Sequence, residues 1–318
     1  MTGGEFLLAA ALDGVCGDPR WLPHPVRMMG RCIAWLDHRV RKVCRSRAGL
    51  RMAGVCLAGG LPITTYCLGV IMIEEVERVA WWMGSALSIA LASTTLAARD
   101  LWDHVRAVDD ALQAGDLPAA RGAVAMIVGR DTAELSESEV ARATVETVAE
   151  SAADGVIAPL LYLAIGGVPL ALAYKAVNTL DSMIGHRDER YADLGWASAR
   201  LDDLANWIPA RLSAVLLLLG AGLVTRQLER IRNGWRVLAR DGRLHPSPNS
   251  GRPEAAMAGI LGVRLGGTNF YDGIAQDRPV LGAEGRSAAP KDIRLAATIM
   301  VAASALGVCL ALGSRWLV

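Results

Sequence analysis

The sequence lacks the cysteine patterns by which many proteins hold a metal. Its six cysteines stand alone, at positions 16, 32, 44, 56, 67 and 309. There is no Cys-x-x-Cys and no pairing of cysteine with histidine at metal-ligand spacing. We therefore expect inert thiols. Lysine is also rare, with three lysines against thirty arginines, a bias that nucleotide composition can produce.

An excess of charge of either sign is missing too. Lysine and arginine number 33, aspartate and glutamate 32, so no basic surplus is left to follow a nucleic-acid backbone. The chain has no Gly-x-x-x-x-Gly-Lys and no Gly-x-Gly-x-x-Gly loop, so a Walker or Rossmann nucleotide site is not predicted. Phe6–Leu12 resembles the apolar part of a signal peptide. Because Glu5 replaces its basic flank, we expect no cleaved signal.

What the chain does have is long uncharged runs that separate its charged segments. They are Met52–Ile73, Val79–Ala98, Gly155–Tyr174, Leu212–Thr225 and Leu295–Gly313. A membrane span needs about 17–25 apolar residues, a length that the fourth run does not reach. Apolar helices buried in a large soluble protein usually stop nearer 10–14 residues. The sequence therefore predicts an all-α, polytopic helical membrane protein with about five membrane segments and helical cytoplasmic loops, forming one domain over residues 1–318.

Basic residues indicate which loops face the cytoplasm. Gly17–Arg51, directly before the first long run, carries nine basic and two acidic residues, and Arg226–Arg294 carries twelve basic residues. The positive-inside rule places both in the cytoplasm. Glu74–Arg78 is then a tight external turn, and Arg99–Asp154 returns to the cytoplasm. The expected location is the cell (inner) membrane, multi-pass, with the active loops cytoplasmic.

The third and fourth runs must either both cross or both turn back, since the loops on either side are predicted to be cytoplasmic. Proline and glycine break or flank these runs, and broken segments are tolerated where they line a cavity. The residues concerned are Pro159, Gly166, Gly167, Pro169 and Pro209. Hydropathy favours full crossing, which places Lys175–Arg211 outside. Re-entry would instead bring this motif-rich segment to the side of the other loops.

Helices are also predicted outside the uncharged runs. Arg99–Ala114 and Leu117–Val128 have helical apolar spacing, and Ser136–Glu139 forms a capping box that opens a helix to about Ser151. Strand signals are nearly absent. Arg243–Gly251 is interpreted as a loop stiffened by proline.

Three groups of polar residues could carry chemistry. In the capped helix, Glu146 and Glu150 follow Arg142 at intervals of four, so they share one face. Such carboxylates suit a hard divalent metal, but a solvated face with Arg–Glu pairs is the plainer alternative.

The second group, the candidates for binding phosphate, lies on the Pro-rich loop. They are Arg243, His245, Asn249 and Arg252, residue types that bind anions.

The third group lies between the third and fourth runs. Lys175, Asn178 and Asp181 recur every three residues as one helical stripe, which is either an interfacial anchor or a functional site. Asp202 and Asp203, with an amide one turn on, resemble the Asp-Asp-x-x-Asp/Asn pattern that holds magnesium diphosphate in membrane prenyltransferases. Their alternative role is a helix N-terminal turn favoured by negative charge.

Several segments, in order from Asp13 to about Gly282, together match one family pattern. They are Gly17–Pro25, Ile127–Thr132, Ala141–Pro159, Tyr174–Met183, Glu189–Tyr191, Gly195–Asp203, His245–Gly259, Leu265–Gly267 and Arg278-Pro279. In this respect the chain resembles the CobD/CbiB family of cobalamin biosynthesis, the adenosylcobinamide-phosphate synthases. The match extends over nearly the whole chain, which makes chance an inadequate explanation.

The resemblance implies ATP-dependent amide formation. The free propionate carboxylate of adenosylcobyric acid would be joined to (R)-1-aminopropan-2-ol phosphate, or to aminopropanol itself. It also implies ATP and Mg²⁺. The expected partners are the corrinoid, the amine, membrane lipid and other membrane-bound enzymes of cobalamin assembly, without nucleic acid.

Residue types suggest roles for the candidates, because activated carboxylates and phosphate leaving groups call for magnesium and cations. The expected magnesium ligands are Glu146, Glu150, Asp202 and Asp203. The expected phosphate-binding residues are Arg243, His245, Asn249 and Arg252. The catalytic candidates are Lys175, Arg130 and Asp181, with Lys175 or Arg130 neutralising a developing acyl phosphate. A corrinoid or solute transporter, a membrane prenyl- or phosphatidyl-transferase and a non-catalytic scaffold are the alternatives.

Overall fold

A computed structural model describes residues 1–19, 21, 23–186 and 188–315. Positions 20 and 22 of the Gly17–Pro25 motif lie outside these described residues. The helices are α1 Gly3–Cys16, α2 Pro25–Val43, α3 Arg47–Val79, α4 Trp81–Ser93, α5 Ala98–Gln113, α6 Leu117–Ala125, α7 Glu137–Ser151, α8 Ala158–Ile184, α9 Trp196–Ala205, α10 Trp207–Thr225, α11 Leu228–Asp241, α12 Gly251–Leu261 and α13 Pro290–Arg315, with a π-helical turn at Ala152–Ile157. The strands are β1 Leu265–Tyr271 and β2 Ile274–Leu281.

Residue contacts divide the chain into two units, each built from separate stretches of sequence. Unit 1 comprises Met1–Ala97, Ala158–Asn206 and Leu310–Val318, and unit 2 comprises Ala98–Ile157 and Trp207–Cys309. The prediction of one domain over residues 1–318 stays a prediction.

Among the described residues, four helical stretches are long and apolar enough to span a membrane. They are Arg47–Val79, Glu137–Ile184, Trp207–Thr225 and Pro290–Gly313. The prediction of an all-α, polytopic membrane protein is confirmed. The predicted run Val79–Ala98 is not among the four, because its helix α4 has only 13 residues. At roughly 1.5 Å per residue, α4 is about 20 Å long, too short for the hydrocarbon layer.

The predicted external turn at Glu74–Arg78 is also wrong. These residues form the last turns of α3, and the chain bends only at Ala80, whose backbone is extended. From this bend α4 packs back against α3. Uncharged composition alone did not show where the helix breaks.

Unit 1 has a small core of large apolar side chains around α2, α8 and the segment before α9. Ile33, Leu180, Ile184 and Leu194 pack together in it. Helix α8 is kinked at Gly166-Gly167, and Gly167 has φ 65 and ψ −160, a conformation open essentially only to glycine. The prediction that glycine interrupts this apolar run is confirmed.

Helix α7 lies in unit 2, and it begins where the sequence predicts. The Ser136 side chain accepts the Glu139 N–H, and the Glu139 carboxylate accepts the Ser136 N–H, so the capping box is complete. The predicted helices in Arg99–Ala114 and Leu117–Val128 also form, as α5 and α6. Between α11 and α12 the backbones approach closely. A Cβ on Gly259 would lie 2.7 Å from the Asn233 carbonyl oxygen.

The antiparallel hairpin of β1 and β2 was not predicted. Its register pairs Tyr271 with Ile274 and Gly267 with Arg278, with an irregularity between Leu265 and Gly267. Two residues between the strands, Asp272 and Gly273, both have positive φ, as tight hairpin turns require. The Asp-Gly pair was the available signal, but β2 lacks the alternation of apolar and polar residues that marks a strand.

Candidate functional site

The centre of the candidate site in unit 2 is a buried ion pair. Glu146 lies in the middle of α7, and Arg130 lies in the segment before that helix. Arg130 Nη2 lies 2.5 Å from Glu146 Oε2, and each side chain is only 7% exposed. The second oxygen of Glu146 accepts the Gly266 N–H at 2.7 Å. Since both partners are buried, each depends on the other for charge compensation.

Asn269 on β1 joins this pair to the neighbouring arginine. Its Oδ1 accepts from Arg130 Nη1 at 2.7 Å and from Arg142 Nη2 at 3.1 Å. Arg142 also donates to the carbonyls of Gly266 and Thr268. These bonds fix the first strand of the hairpin against α7. Asn269 itself is 3% exposed, and its Nδ2 has no hydrogen-bond partner among the described residues.

Two more carboxylates lie close to Glu146. Glu150, one turn further along α7, is exposed and accepts a hydrogen bond from Ser250 Oγ at 2.9 Å. Glu254, in the first turn of α12, is buried. Burial, and then the charges of Glu150 and Glu146, raise the pKa of Glu254 well above its usual value. Glu254 therefore tends to hold a proton unless a cation lies nearby.

His245 is the histidine of this site. Burial, and then the charge of Arg278, lower the pKa of His245 below its usual value. Its Nδ1 accepts the Ser247 N–H at 3.0 Å, which leaves the proton of the neutral ring on Nε2. That Nε2 is buried and has no partner in the described part of the chain. The neutral ring can therefore donate one hydrogen bond to a ligand.

Three arginines lie near one another beside this loop. Arg211, at the start of α10, is within electrostatic reach of Arg252 and Arg243. Among the residues that the structure describes, none of the three has a carboxylate within ion-pair distance. Arg252 Nε is buried and lacks a hydrogen-bond partner there as well. Three like charges without a counter-charge favour an anion. Arg211 was not predicted.

The remaining candidates belong to unit 1, where they have contacts of their own. Asp202 is 9% exposed and accepts from Asn206 Nδ2 at 2.9 Å and from Asn178 Nδ2 at 3.4 Å. Burial, and then the charge of Asp181, raise the pKa of Asp202 to about 7. Lys175 lies on the same helix as Asp181 and is also buried. Thus the predicted stripe and the Asp-Asp pattern contribute to one polar cluster.

Two neighbours complete the unit 1 cluster. Tyr174 donates its hydroxyl to Asn206 Oδ1 at 2.8 Å, and the Tyr162 ring stacks on Tyr174 at 4.7 Å between centroids. Asp202 and Asp203 lie in the second half of α9, which runs from Trp196 to Ala205, so they do not form a helix N-terminal turn.

The carboxylates of the site in unit 2 partly meet the ligand requirements of magnesium. Within residues 1–19, 21, 23–186 and 188–315, no three or more His, Cys, Asp or Glu side chains form a metal-binding group. Magnesium, however, is often bound through one or two carboxylates together with substrate phosphates and water. In unit 2, Glu150 and the buried Glu254 are carboxylates of this kind, whereas Glu146 already binds Arg130 and Gly266. The magnesium assignment stays a prediction.

Glu254, Asn269 and Arg278 belong to the site, and no motif in the sequence predicted a role for them. The segments that contain Gly266 and Arg278 match the family pattern, but no chemical role is predicted for them from their residue types. Their place beside α7 depends on the hairpin, which periodicity did not indicate. Asn269 has no local motif at all, and only tertiary contacts identify it.

Comparison with known proteins shows a family and several similar proteins. The family model that matches residues 6–300 is described as CobD/Cbib protein. Cobalamin biosynthesis protein CobD of Geobacter metallireducens is 52% identical over 284 residues, covering 88% of this chain and 86% of that protein. The protein of the same name from Klebsiella pneumoniae is 44% identical over 320 residues, covering 100% and 99%.

Cobalamin biosynthesis protein CbiB of Salmonella typhimurium is 41% identical over 318 residues, covering 99% of this chain and 98% of that protein. No solved structure matches the chain. Since the family model and these relatives extend over nearly its full length, the chain belongs to the CobD/CbiB family of cobalamin biosynthesis proteins.

Proposed function

We propose that this protein catalyses ATP-dependent amide formation between adenosylcobyric acid and (R)-1-aminopropan-2-ol phosphate or aminopropanol. The family and the names of its relatives support a role in cobalamin biosynthesis. The single structural observation that carries the proposal is a set of buried donors in unit 2 that have no acceptor among the described residues. They are His245 Nε2, Arg252 Nε and Asn269 Nδ2. Unsatisfied buried donors are rare, and a phosphate or carboxylate ligand would satisfy them.

The reaction needs an activated acyl group. A propionate carboxylate is a poor acyl donor because its leaving group would be an oxide. Transfer of a phosphoryl group from ATP to one carboxylate oxygen gives an acyl phosphate, and attack by the amine then forms the amide and releases phosphate. Cations that stabilise the negative charge on these phosphate groups would lower the barrier.

Arginines and His245 are suited to hold the phosphate groups. Arg243, Arg252 and Arg211 supply positive charge that no carboxylate of the described residues pairs with, and neutral His245 supplies one N–H. Asn249 lies buried on the same loop and would fix its shape or contact the ligand. Arg130 is already paired with Glu146, so its role would be to hold the position of α7 and the hairpin.

Magnesium, when bound, would neutralise phosphate charge and orient the leaving group. Glu150 and Glu254 would hold it in unit 2, since a cation would allow Glu254 to lose its proton. In unit 1, Asp202 and Asp203 would bind a metal ion. Asp181 and Lys175 of the same unit would act as catalytic residues.

The test is an assay of the purified, detergent-solubilised protein with adenosylcobyric acid, magnesium-ATP and either amine. Mass spectrometry should detect the amide product, and product with only one amine would identify the substrate. Absence of product with both amines would overturn the proposal.

A corrinoid or solute transporter is the second candidate, because α8 is broken at Gly166-Gly167. Broken helices line substrate sites in transporters, usually within inverted repeats, and the sequence shows no such repeat. Uptake of cobyric acid by proteoliposomes without ATP, in the absence of amide product, would favour this candidate.

A further inference from the structure

A second basic site lies at the other end of α12 from Glu254. A cavity of about 660 Å³, open to the surface, lies between α11 and the C-terminal end of α12. Its volume is in the range of small-ligand sites. Three arginines of α11 line it, Arg230, Arg232 and Arg236, and among the described residues Glu229 is the one acidic residue of the lining. The cavity is therefore electropositive.

Hydrogen bonds hold part of this lining in place. Arg230 Nη1 donates to the Ile260 carbonyl at 3.0 Å, and Asn233 Nδ2 donates to the Gly259 carbonyl at 2.6 Å. Both bonds attach α11 to the last turn of α12. Arg236 Nη1 also donates to Asn233 Oδ1 at 3.5 Å. Neither Arg232 nor Arg236 has a carboxylate within ion-pair distance among the described residues. Their charges are available to a ligand.

The cavity lies next to the end of a membrane span. Helix α10 is a candidate span that ends at Thr225, and two residues separate it from α11. On α11, Leu228 and Trp235 are 58% and 57% exposed. Arg232 lies between them on the same stripe, four residues after one and three before the other. An amphipathic helix with exposed Leu, Trp and Arg is typical of the membrane–water interface.

We propose that this cavity binds the phosphate group of an anionic phospholipid. Arg232 and Arg236 would contact the phosphate, while Leu228 and Trp235 would contact the acyl chains beside it. A free phosphate is also an anion, but it would not explain the exposed apolar residues on the same face of α11. The proposal does not depend on amide synthesis, since none of these residues belongs to the candidate site around Glu146.

The experiment is native mass spectrometry of the full-length protein in detergent, titrated with phosphatidylglycerol or phosphatidylcholine. The wild type should retain phosphatidylglycerol in preference to phosphatidylcholine. The double variant Arg232→Gln/Arg236→Gln should bind phosphatidylglycerol about tenfold or more weakly, because each basic residue near an anionic surface contributes to binding. The matched control is Arg99→Gln/Arg106→Gln, which removes the same charge from α5 and should bind as the wild type does.

Equal binding of phosphatidylglycerol by the wild type and the α11 variant would overturn the proposal. So would equal binding of the two lipids by the wild type. A third arm adds inorganic phosphate at millimolar concentration. If phosphate displaces the lipid fully, the cavity recognises a free anion and not a lipid. Circular dichroism should show unchanged helix content in both variants.

Discussion

At the scale of single residues, the buried Arg130–Glu146 pair is the contact on which the site depends most. We expect Glu146→Gln to leave the charge of Arg130 without a compensating carboxylate among the described residues. The hydrogen bond to Asn269 would then be the described contact that holds the Arg130 side chain in place. Removing one partner of a buried pair costs about 3–5 kcal/mol. The variant should therefore have a lower apparent Tm, and its turnover should fall by roughly tenfold or more because the groups around Arg130 are displaced.

The matched control for this variant lies on the same helix. Glu137 is an exposed residue in the first turn of α7, so Glu137→Gln should change stability by less than about 1 kcal/mol and leave turnover unchanged. Equal effects of the two substitutions would show that the pair has no special role.

Asp202 gives a prediction about pH. Its folded pKa, about 7, lies above the ordinary value of 3.8, so between these values the folded protein holds a proton that the unfolded chain has lost. Stability should therefore fall as the pH rises through this window. Asp202→Asn should raise the Tm, and more at pH 8 than at pH 5. Asp193→Asn, a substitution at a less buried aspartate of unit 1, is the control.

The assignment of Asp202 to magnesium can be tested with the same variant. A bound divalent cation favours the ionised carboxylate, so magnesium should raise the Tm of the wild type at pH 8. Asp202→Asn should lose most of this increase. If magnesium stabilises both proteins equally, the ligand assignment in unit 1 is wrong.

At the scale of elements, the kink in α8 should require glycine. Gly167 has a positive φ and an extended ψ, a region that an L-residue enters at a cost of about 1–3 kcal/mol. Gly167→Ala should therefore lower the Tm, although the nearest described atom outside the adjoining residues, Pro169 Cδ, would lie 3.9 Å from the new Cβ. Gly59→Ala in helix α3, where nothing lies within 4 Å, should be neutral or stabilising. A thermal melt in detergent measures both.

Elements differ in how well the sequence predicted them. The start of α7 was predictable because a capping box is a local motif, and both of its hydrogen bonds form. The hairpin was missed because contacts with α7 hold β1, through Arg142 and Asn269. The length of α4 was also missed, since an uncharged run does not reveal where a helix ends. Local signals were sufficient for α5, α6 and α7, whereas the hairpin and the site depend on long-range contacts.

At the scale of the whole molecule, two distant segments predicted to be cytoplasmic meet in unit 2. Arg130, from the segment before α7, bonds to Asn269 of the hairpin, so both segments must lie on one side of the membrane. Single cysteines in a background without the six native ones, introduced as Asp110→Cys and as Glu284→Cys, should both react with a membrane-impermeant maleimide from the same side of the membrane. Labelling of the two positions from opposite sides would contradict this topology.

The central claim is that the carboxylate is activated by phosphoryl transfer at a site built around Glu146, His245 and Arg252. The most direct measurement uses adenosylcobyric acid with both propionate oxygens labelled with ¹⁸O, together with the amine and magnesium-ATP. We predict that one ¹⁸O appears in the released inorganic phosphate for each amide formed, and that Glu146→Gln slows both products equally. Amide formed with unlabelled phosphate, or with AMP as the product of ATP, would contradict the claim.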